Sequence, residues 1–173
     1  MGVLKERHEK FIIFARLFES TNTMAQSLSQ LYVHIIFHIK GHTPIRPVDA
    51  ERVHSYIAGV INNHDCIPIQ INGMPDHIHI LCVLSKNISL AKFVQEVKGI
   101  SSHWIKNLAP HYNGFEWQKG YAGFSVSPSV HDKTVEYIRN QQSHHTKLSF
   151  KEEYLIFLKE YGIQYDERYL WSD

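Results

Sequence analysis

Two periods of hydrophobic residues run through this chain. Residues 30–39, containing Leu31-Tyr32-Val33-His34-Ile35-Ile36-Phe37-His38-Ile39, are rich in β-branched and aromatic side chains and predict a central strand. After a loop over 41–47, Val53, Tyr56, Ile57, Val60 and Ile61 recur at helical spacing across 48–63. Residues 66–71 read as a short strand, Asn72-Gly73 as a two-residue turn, and 77–84 as the second strand of an antiparallel pair. Leu90, Phe93, Val94, Val97, Ile100, Trp104 and Ile105 then mark one face of a long amphipathic helix capped by Ser89. A loop over 108–120 leads to a fourth strand at 122–127. Ser129 with Asp132 resembles a capping box opening a helix over 130–145. Ser149 with Glu152 opens a last helix, in which Tyr154, Phe157, Leu158 and Tyr161 share a face ahead of Gly162.

The order β-α-β-β-α-β, followed by two further helices, is the split βαβ arrangement of α+β, ferredoxin-like domains, also found in RRM-like folds. It predicts an antiparallel sheet with a penultimate helix and a C-terminal helix added to it. At 173 residues, 43% of them hydrophobic and 20% charged, the chain suits one domain with a real core. A formal net charge of +1 argues against a polybasic binder of nucleic acid and leaves room for an enzyme whose positive charge is local. Cys66 and Cys82 lack metal-type spacing and are expected to be buried free thiols in a cytoplasmic protein. The apolar run from Phe11 to Phe18 is interrupted by Arg16 and is too short to span a bilayer, so no membrane association is expected. Residues 1–23 are expected to be a dispensable extension, and 24–173 the single domain.

The chemistry begins at Asp76-His77-Ile78-His79. Side chains two apart on a strand share a face, so His77 and His79 project together while Ile78 points the other way. Tyr137 and Gln141 lie one turn apart on the helix over 130–145 and share a face of it. Two imidazoles and a carboxamide oxygen can ligate a divalent cation, and the phenol beside it can act as nucleophile. A phenol with an ordinary pKa of about 10 is weak in that role unless its proton is lost near such a centre. The chain has no glycine-rich phosphate-binding loop of the NTPase type.

Asp76-His77-Ile78-His79 resembles the His-hydrophobic-His signature of the single-tyrosine HUH transposases that mobilise small bacterial insertion sequences as single strands. Tyr137-Ile138-Arg139-Asn140-Gln141 resembles the helix carrying that family's nucleophile, with Gln141 at the third metal ligand. The resemblance implies a DNA strand transferase. Tyr137 would attack a phosphate at the element's end, forming a 5′-phosphotyrosine and releasing a 3′-hydroxyl, with Mg²⁺ or Mn²⁺ held by His77, His79 and Gln141. It also implies single-stranded DNA with terminal hairpins as partner and a homodimer, and it leaves open whether the tyrosine serves its own subunit or its neighbour.

Lys40, Arg46, Lys98, Lys119 and Arg139 are candidate phosphate contacts. His144 and His145, about 100° apart on a helix, read as helix-end charges, and His34 and His38 as core or sheet-surface histidines. Trp104 falls on an apolar helix face and reads as core. Three other readings compete. A non-catalytic single-stranded nucleic-acid binder of RRM-like fold would stack bases on strand aromatics, and that aromatic-rich signature is missing here. The others are a domesticated hairpin-nicking relative and a metal hydrolase in which Tyr137 is a bystander.

Overall fold

Seven of the ten residues of the first strand are apolar or aromatic, as suits a strand covered on both faces. In the computed structural model, which describes residues 27–146 and 148–171, β1 (Leu31–Lys40) lies in the middle of an antiparallel sheet. The expected extension over 1–23 lies outside the described residues. β3 (His77–Leu84) pairs with one side of β1, and β2 (Ile67–Met74) forms the edge beyond it. On the other side β1 pairs with β5 (Ala122–Val126) and with a two-residue strand, β4 (Glu116–Trp117). This is the order and direction of the split βαβ fold.

Alternation of side chains sorts the sheet into two faces. Val33, Ile35, Phe37 and Ile39 of β1, with Ile78, Ile80 and Cys82 of β3, pack against α1 (Pro47–Asn62) and α2 (Leu90–Lys106). Val53, Ile57, Phe93, Val94 and Val97 complete that core. Trp104 packs at its margin, stacked on Tyr56 at 4.2 Å, and Cys66 and Cys82 are buried free thiols. The opposite face carries His34, Ile36, His77, His79 and Leu81. It is covered by α3 (His131–Arg139), α4 (Gln141–His144) and α5 (Phe150–Glu160), with α6 (Glu167–Leu170) following. No helix among the described residues is long and apolar enough to cross a membrane.

The structure departs from the sequence reading in three places near the histidines. The β2–β3 turn is Pro75-Asp76; Asn72 and Gly73 lie within β2, opposite His79 and Ile78. Asn72 is engaged elsewhere, its Nδ2 donating to the carbonyls of Ile138 (3.0 Å) and Arg139 (2.9 Å) at the end of α3. Gly73 permits a close approach, since a Cβ there would sit 2.2 Å from the His77 carbonyl oxygen. The expected helix over 130–145 breaks at Asn140 (φ −97°, ψ 22°) into α3 and α4, the last α3 carbonyls being satisfied from the sheet. The Ser129–Asp132 box does not form. Ser129 meets Ser127 at 2.8 Å, Asp132 faces His131, and no side chain caps α3. The Ser149–Glu152 box does form and sets the start of α5.

The loop over 108–120 is anchored from α1. Tyr112 Oη donates to Asp49 Oδ2 at 2.8 Å, and the Arg46 Nε donates to the same oxygen at 2.8 Å. These bonds, Tyr112 first, hold the Asp49 carboxyl below its ordinary value of 3.8. A depressed carboxylate contributes stability that is complete above its unfolded-state pKa and lost as pH falls through the folded one. Asp49→Asn is therefore expected to lower the urea midpoint at neutral pH and to flatten its decline as pH falls from about 6 to about 3. An equally steep decline in the variant would contradict this anchoring.

Candidate active site

The Pro75-Asp76 turn is pinned at both carbonyls. Ile45 N donates to Pro75 O and Ile39 N to Asp76 O, each at 2.8 Å. His77 enters β3 directly from that turn, and its Nδ1 donates to Asp76 Oδ1 at 2.7 Å. The carboxylate thereby sets the tautomer, leaving the Nε2 lone pair facing the interior. His79 Nδ1 meets His34 Nε2 at 2.9 Å, which turns its own Nε2 the same way. Burial first, and His79 next, keep the His34 imidazole well below its ordinary value; burial likewise lowers His79. Both rings are thus held neutral, the form that ligates cations.

Tyr137 and Gln141 reach this face from either side of the Asn140 break, which lies directly above the Asn72 clamp. Both side chains meet one carboxylate, Glu153 of α5. Tyr137 Oη donates to Glu153 Oε1, and Gln141 Nε2 donates to the same oxygen at 2.9 Å. The other oxygen, Oε2, lies 3.2 Å from His145 Nε2, 3.3 Å from His79 Nε2 and 3.8 Å from His77 Nε2. His77, His79, Gln141 and Glu153 are all buried, and Phe150 stacks on His77 at 4.3 Å to close the site.

Burial works to raise the Glu153 carboxyl, but a proton on His79 Nε2, and then Tyr137 and Gln141, outweigh it and hold the group well below the usual carboxylate range; a cation taking that nitrogen's lone pair would supply the positive charge in the proton's place. Burial, and then the Glu153 carboxylate, push the Tyr137 phenol well above its ordinary value. A phenol in that setting stays protonated until positive charge arrives beside it.

The donor set suits such a charge. One ligand atom from each of His77, His79, His145 and Glu153 lies within 4.8 Å of all the others. An ion with ligands at about 2.1 Å places neighbouring donors roughly 3 Å apart and opposite ones roughly 4.2 Å apart, so a small contraction would close the set on a metal. Among the described residues, His77 Nε2, His79 Nε2 and Gln141 Oε1 are buried without hydrogen-bond partners. Orphaned polar atoms are costly inside a protein; the two imidazole nitrogens converge on Glu153 Oε2, Gln141 is bonded to the same carboxylate, and such a set fits a ligand that accepts lone pairs.

All four expected residues, His77, His79, Tyr137 and Gln141, therefore meet. His145 joins them, where a helix-end charge was expected, and His34 supports His79 from the neighbouring strand. Glu153 was not foreseen. Its signal was an acid at the second position of the Phe150, Glu153, Tyr154, Phe157 stripe, where the pattern calls for an apolar residue.

The candidate phosphate contacts are more scattered. Lys40 pairs with Glu116 at 3.6 Å, Arg46 with Asp49 at 2.7 Å, and Arg139 with Glu136. Lys98 lies over Phe37 on the far side of the sheet and donates to the Lys119 and Gly120 carbonyls, its amine pushed down to about 8 by burial. Lys119 is exposed.

Comparison with known proteins bears on the family and the fold. The family model described as "Transposase IS200 like" matches residues 27–141, more than half of the chain. A solved protein of Deinococcus radiodurans R1, assigned as a transposase, superposes with a TM-score of 0.54 at 21% identity, covering 70% of this chain and 98% of its own. A REP-associated tyrosine transposase bound to a REP hairpin superposes with a TM-score of 0.54 at 12% identity, covering 75% of this chain and 76% of its own. At these identities the likeness establishes a shared fold. No curated protein sequence matches significantly. With its histidine strand, its tyrosine helix and the matched segment that spans both, the chain belongs to the IS200-like transposase family.

Proposed function

We propose that this protein is a divalent-cation-dependent transferase of single-stranded DNA that cuts and rejoins strands at the ends of a mobile element. The observation that carries the reading is a set of three orphaned atoms, His77 Nε2, His79 Nε2 and Gln141 Oε1, on side chains that share with the Tyr137 hydroxyl one buried carboxylate, Glu153. These three side chains would hold Mg²⁺ or Mn²⁺, with Glu153 and His145 within reach as further ligands. When bound, the cation supplies a Lewis acid that polarises a phosphoryl oxygen and favours ionisation of the neighbouring phenol.

The rest falls to the chain's own residues. Asp76 and His34 keep the imidazoles in the ligating tautomer, and Glu153 Oε1 orients the phenol. Tyr137 Oη attacks phosphorus; the new phosphotyrosine bond forms as the bond to O3′ breaks, and the released oxygen takes up a proton as a 3′-hydroxyl. A later attack by a 3′-hydroxyl on that 5′-phosphotyrosine rejoins DNA and restores the phenol. Phosphodiester energy is conserved, in keeping with the lack of a nucleotide-binding loop.

A hairpin-bearing single strand is the proposed partner, supported by family membership and by the hairpin in the structural relative named above. A homodimer is proposed from the family resemblance alone, since the residues proposed to react meet within one chain here. A cytoplasmic location belongs to the same reading.

With Mn²⁺ and a hairpin-bearing single strand, the protein is expected to form a denaturation-resistant adduct that disappears in Tyr137→Phe. His77→Ala, or removal of the cation with EDTA, is expected to slow adduct formation by at least about a hundredfold while hairpin affinity changes by less than about threefold. Gel shift and denaturing gels read the two quantities separately. An adduct that persists in Tyr137→Phe would refute the proposed nucleophile, and equal loss of binding and cleavage in a folded His77→Ala protein would refute the division of roles.

A further inference from the structure

The Tyr137–Glu153 pair borders a cavity of about 450 Å³ between α3 and α5, on the side away from Asp76 and His145. Tyr137 and Phe157 form two of its walls, their rings 5.6 Å apart and nearly perpendicular, and His34 and Val126 of the sheet line it as well. Two apolar residues of the lining remain in water: Ile156 is 45% exposed and Tyr161 44%. Polar groups join them in Lys133, Thr134 and Glu160. Thr134 Oγ1 spends its proton on the Val130 carbonyl at 3.0 Å, which leaves the oxygen as an acceptor. Lys133 stands one helical turn before Tyr137 on the same side of α3.

This volume is in the range of sites for organic ligands and exceeds what an ion requires. Apolar and aromatic walls with polar groups of both signs suit a flat heterocycle that has apolar faces and a hydrogen-bonding edge. A phosphorus attacked by Tyr137 must approach Oη to within about 3.5 Å, so the bases of the two flanking nucleotides fall beside this opening.

From this we infer, resting on the tyrosine-transferase reading above, that the cavity is a nucleobase subsite. It takes the base of a nucleotide adjoining the attacked phosphate, unstacked from its neighbours and lodged against Tyr137, Phe157 and Ile156. Lys133 then lies close enough to that nucleotide to balance phosphate charge, and Thr134 and Glu160 meet the edge of the base. Stacking of this kind tolerates many sequences, and edge contacts add a preference at one position.

The test uses a pool of hairpin oligonucleotides with randomised single-stranded flanks, incubated with the full-length protein and Mn²⁺; sequencing of the covalently linked strands locates the cut. An abasic residue beside the cut is expected to slow adduct formation about tenfold, and Ile156→Trp, which fills the cavity from an exposed position, to slow the intact substrate by a similar factor. Combining the two should cost no more than either alone. Multiplying losses, or an abasic substrate as fast as the intact one, would overturn the subsite. A second measurement is independent of cleavage. In Tyr137→Phe protein, 2-aminopurine at the flanking position of a hairpin strand should lose fluorescence on binding and keep it when Ile156→Trp is added. Quenching without any wild-type adduct would retain the subsite and reject the transferase reading; an adduct with no quenching at either flanking nucleotide would do the reverse.

Discussion

A single carboxylate holds the histidine-bearing face of this protein together. Glu153 enters from α5 and meets the phenol of Tyr137, the amide of Gln141 and the imidazoles of His79 and His145 within a buried space. A charge taken out of water is tolerated only when it is paired and hydrogen-bonded, so the location of α5 follows as much from polar chemistry as from apolar packing. The capping box at Ser149 fixes where that helix begins, and Phe150, one residue later, lies flat on His77. The resulting pocket is rich in lone pairs and poor in protons. Burial lowers His34 and His79 and so limits competition from protons at neutral pH, which suits the site to a cation.

A second constraint couples the sheet to the helix that carries Tyr137. Asn72 stands opposite His79 in the hairpin, and its side chain closes the end of α3 through two carbonyls. Tyr137 and Gln141 therefore flank a point clamped to the histidine strands. The turn that launches His77 is held in the same way, its two carbonyls bonded to the end of β1 and to the following loop. The Tyr137 phenol and the imidazoles are placed by backbone bonds and one amide, and little freedom remains in their spacing.

Much of this was legible in the chain because it depends on local period. The β-branched and aromatic run of β1, the apolar run of β3 and the 3.6-residue stripes of α1, α2 and α5 gave the layers correctly, and the His-x-His and Tyr-x-x-x-Gln spacings put two pairs of side chains each on one face of its element. The turn was misplaced because Asn72-Gly73 has strong local turn chemistry, which the tertiary demands on both residues override: Asn72 as a clamp on a distant helix, Gly73 as a point of close approach. Glu153 was hidden because an acid beside the capping residue Glu152 looks like favourable charge in a first helical turn. His145 was hidden because the break at Asn140 redirects the residues after it, and no local signal specifies that break. The cationic residues were hardest to place. Lys98 and Arg46 satisfy carbonyls and carboxylates of their own chain, and spacing along the sequence does not distinguish such structural pairing from a phosphate contact.

The central claim is that neutral imidazoles, an amide oxygen and a carboxylate meet around one divalent cation beside a phenol. Anomalous scattering from crystals grown with Mn²⁺ tests it most directly. The expected result is a single strong peak within about 2.5 Å of both His77 Nε2 and His79 Nε2, with Gln141 or Glu153 completing the shell and Tyr137 Oη on its border. A peak lying outside coordination distance of both imidazoles, or no peak at saturating Mn²⁺, would contradict it.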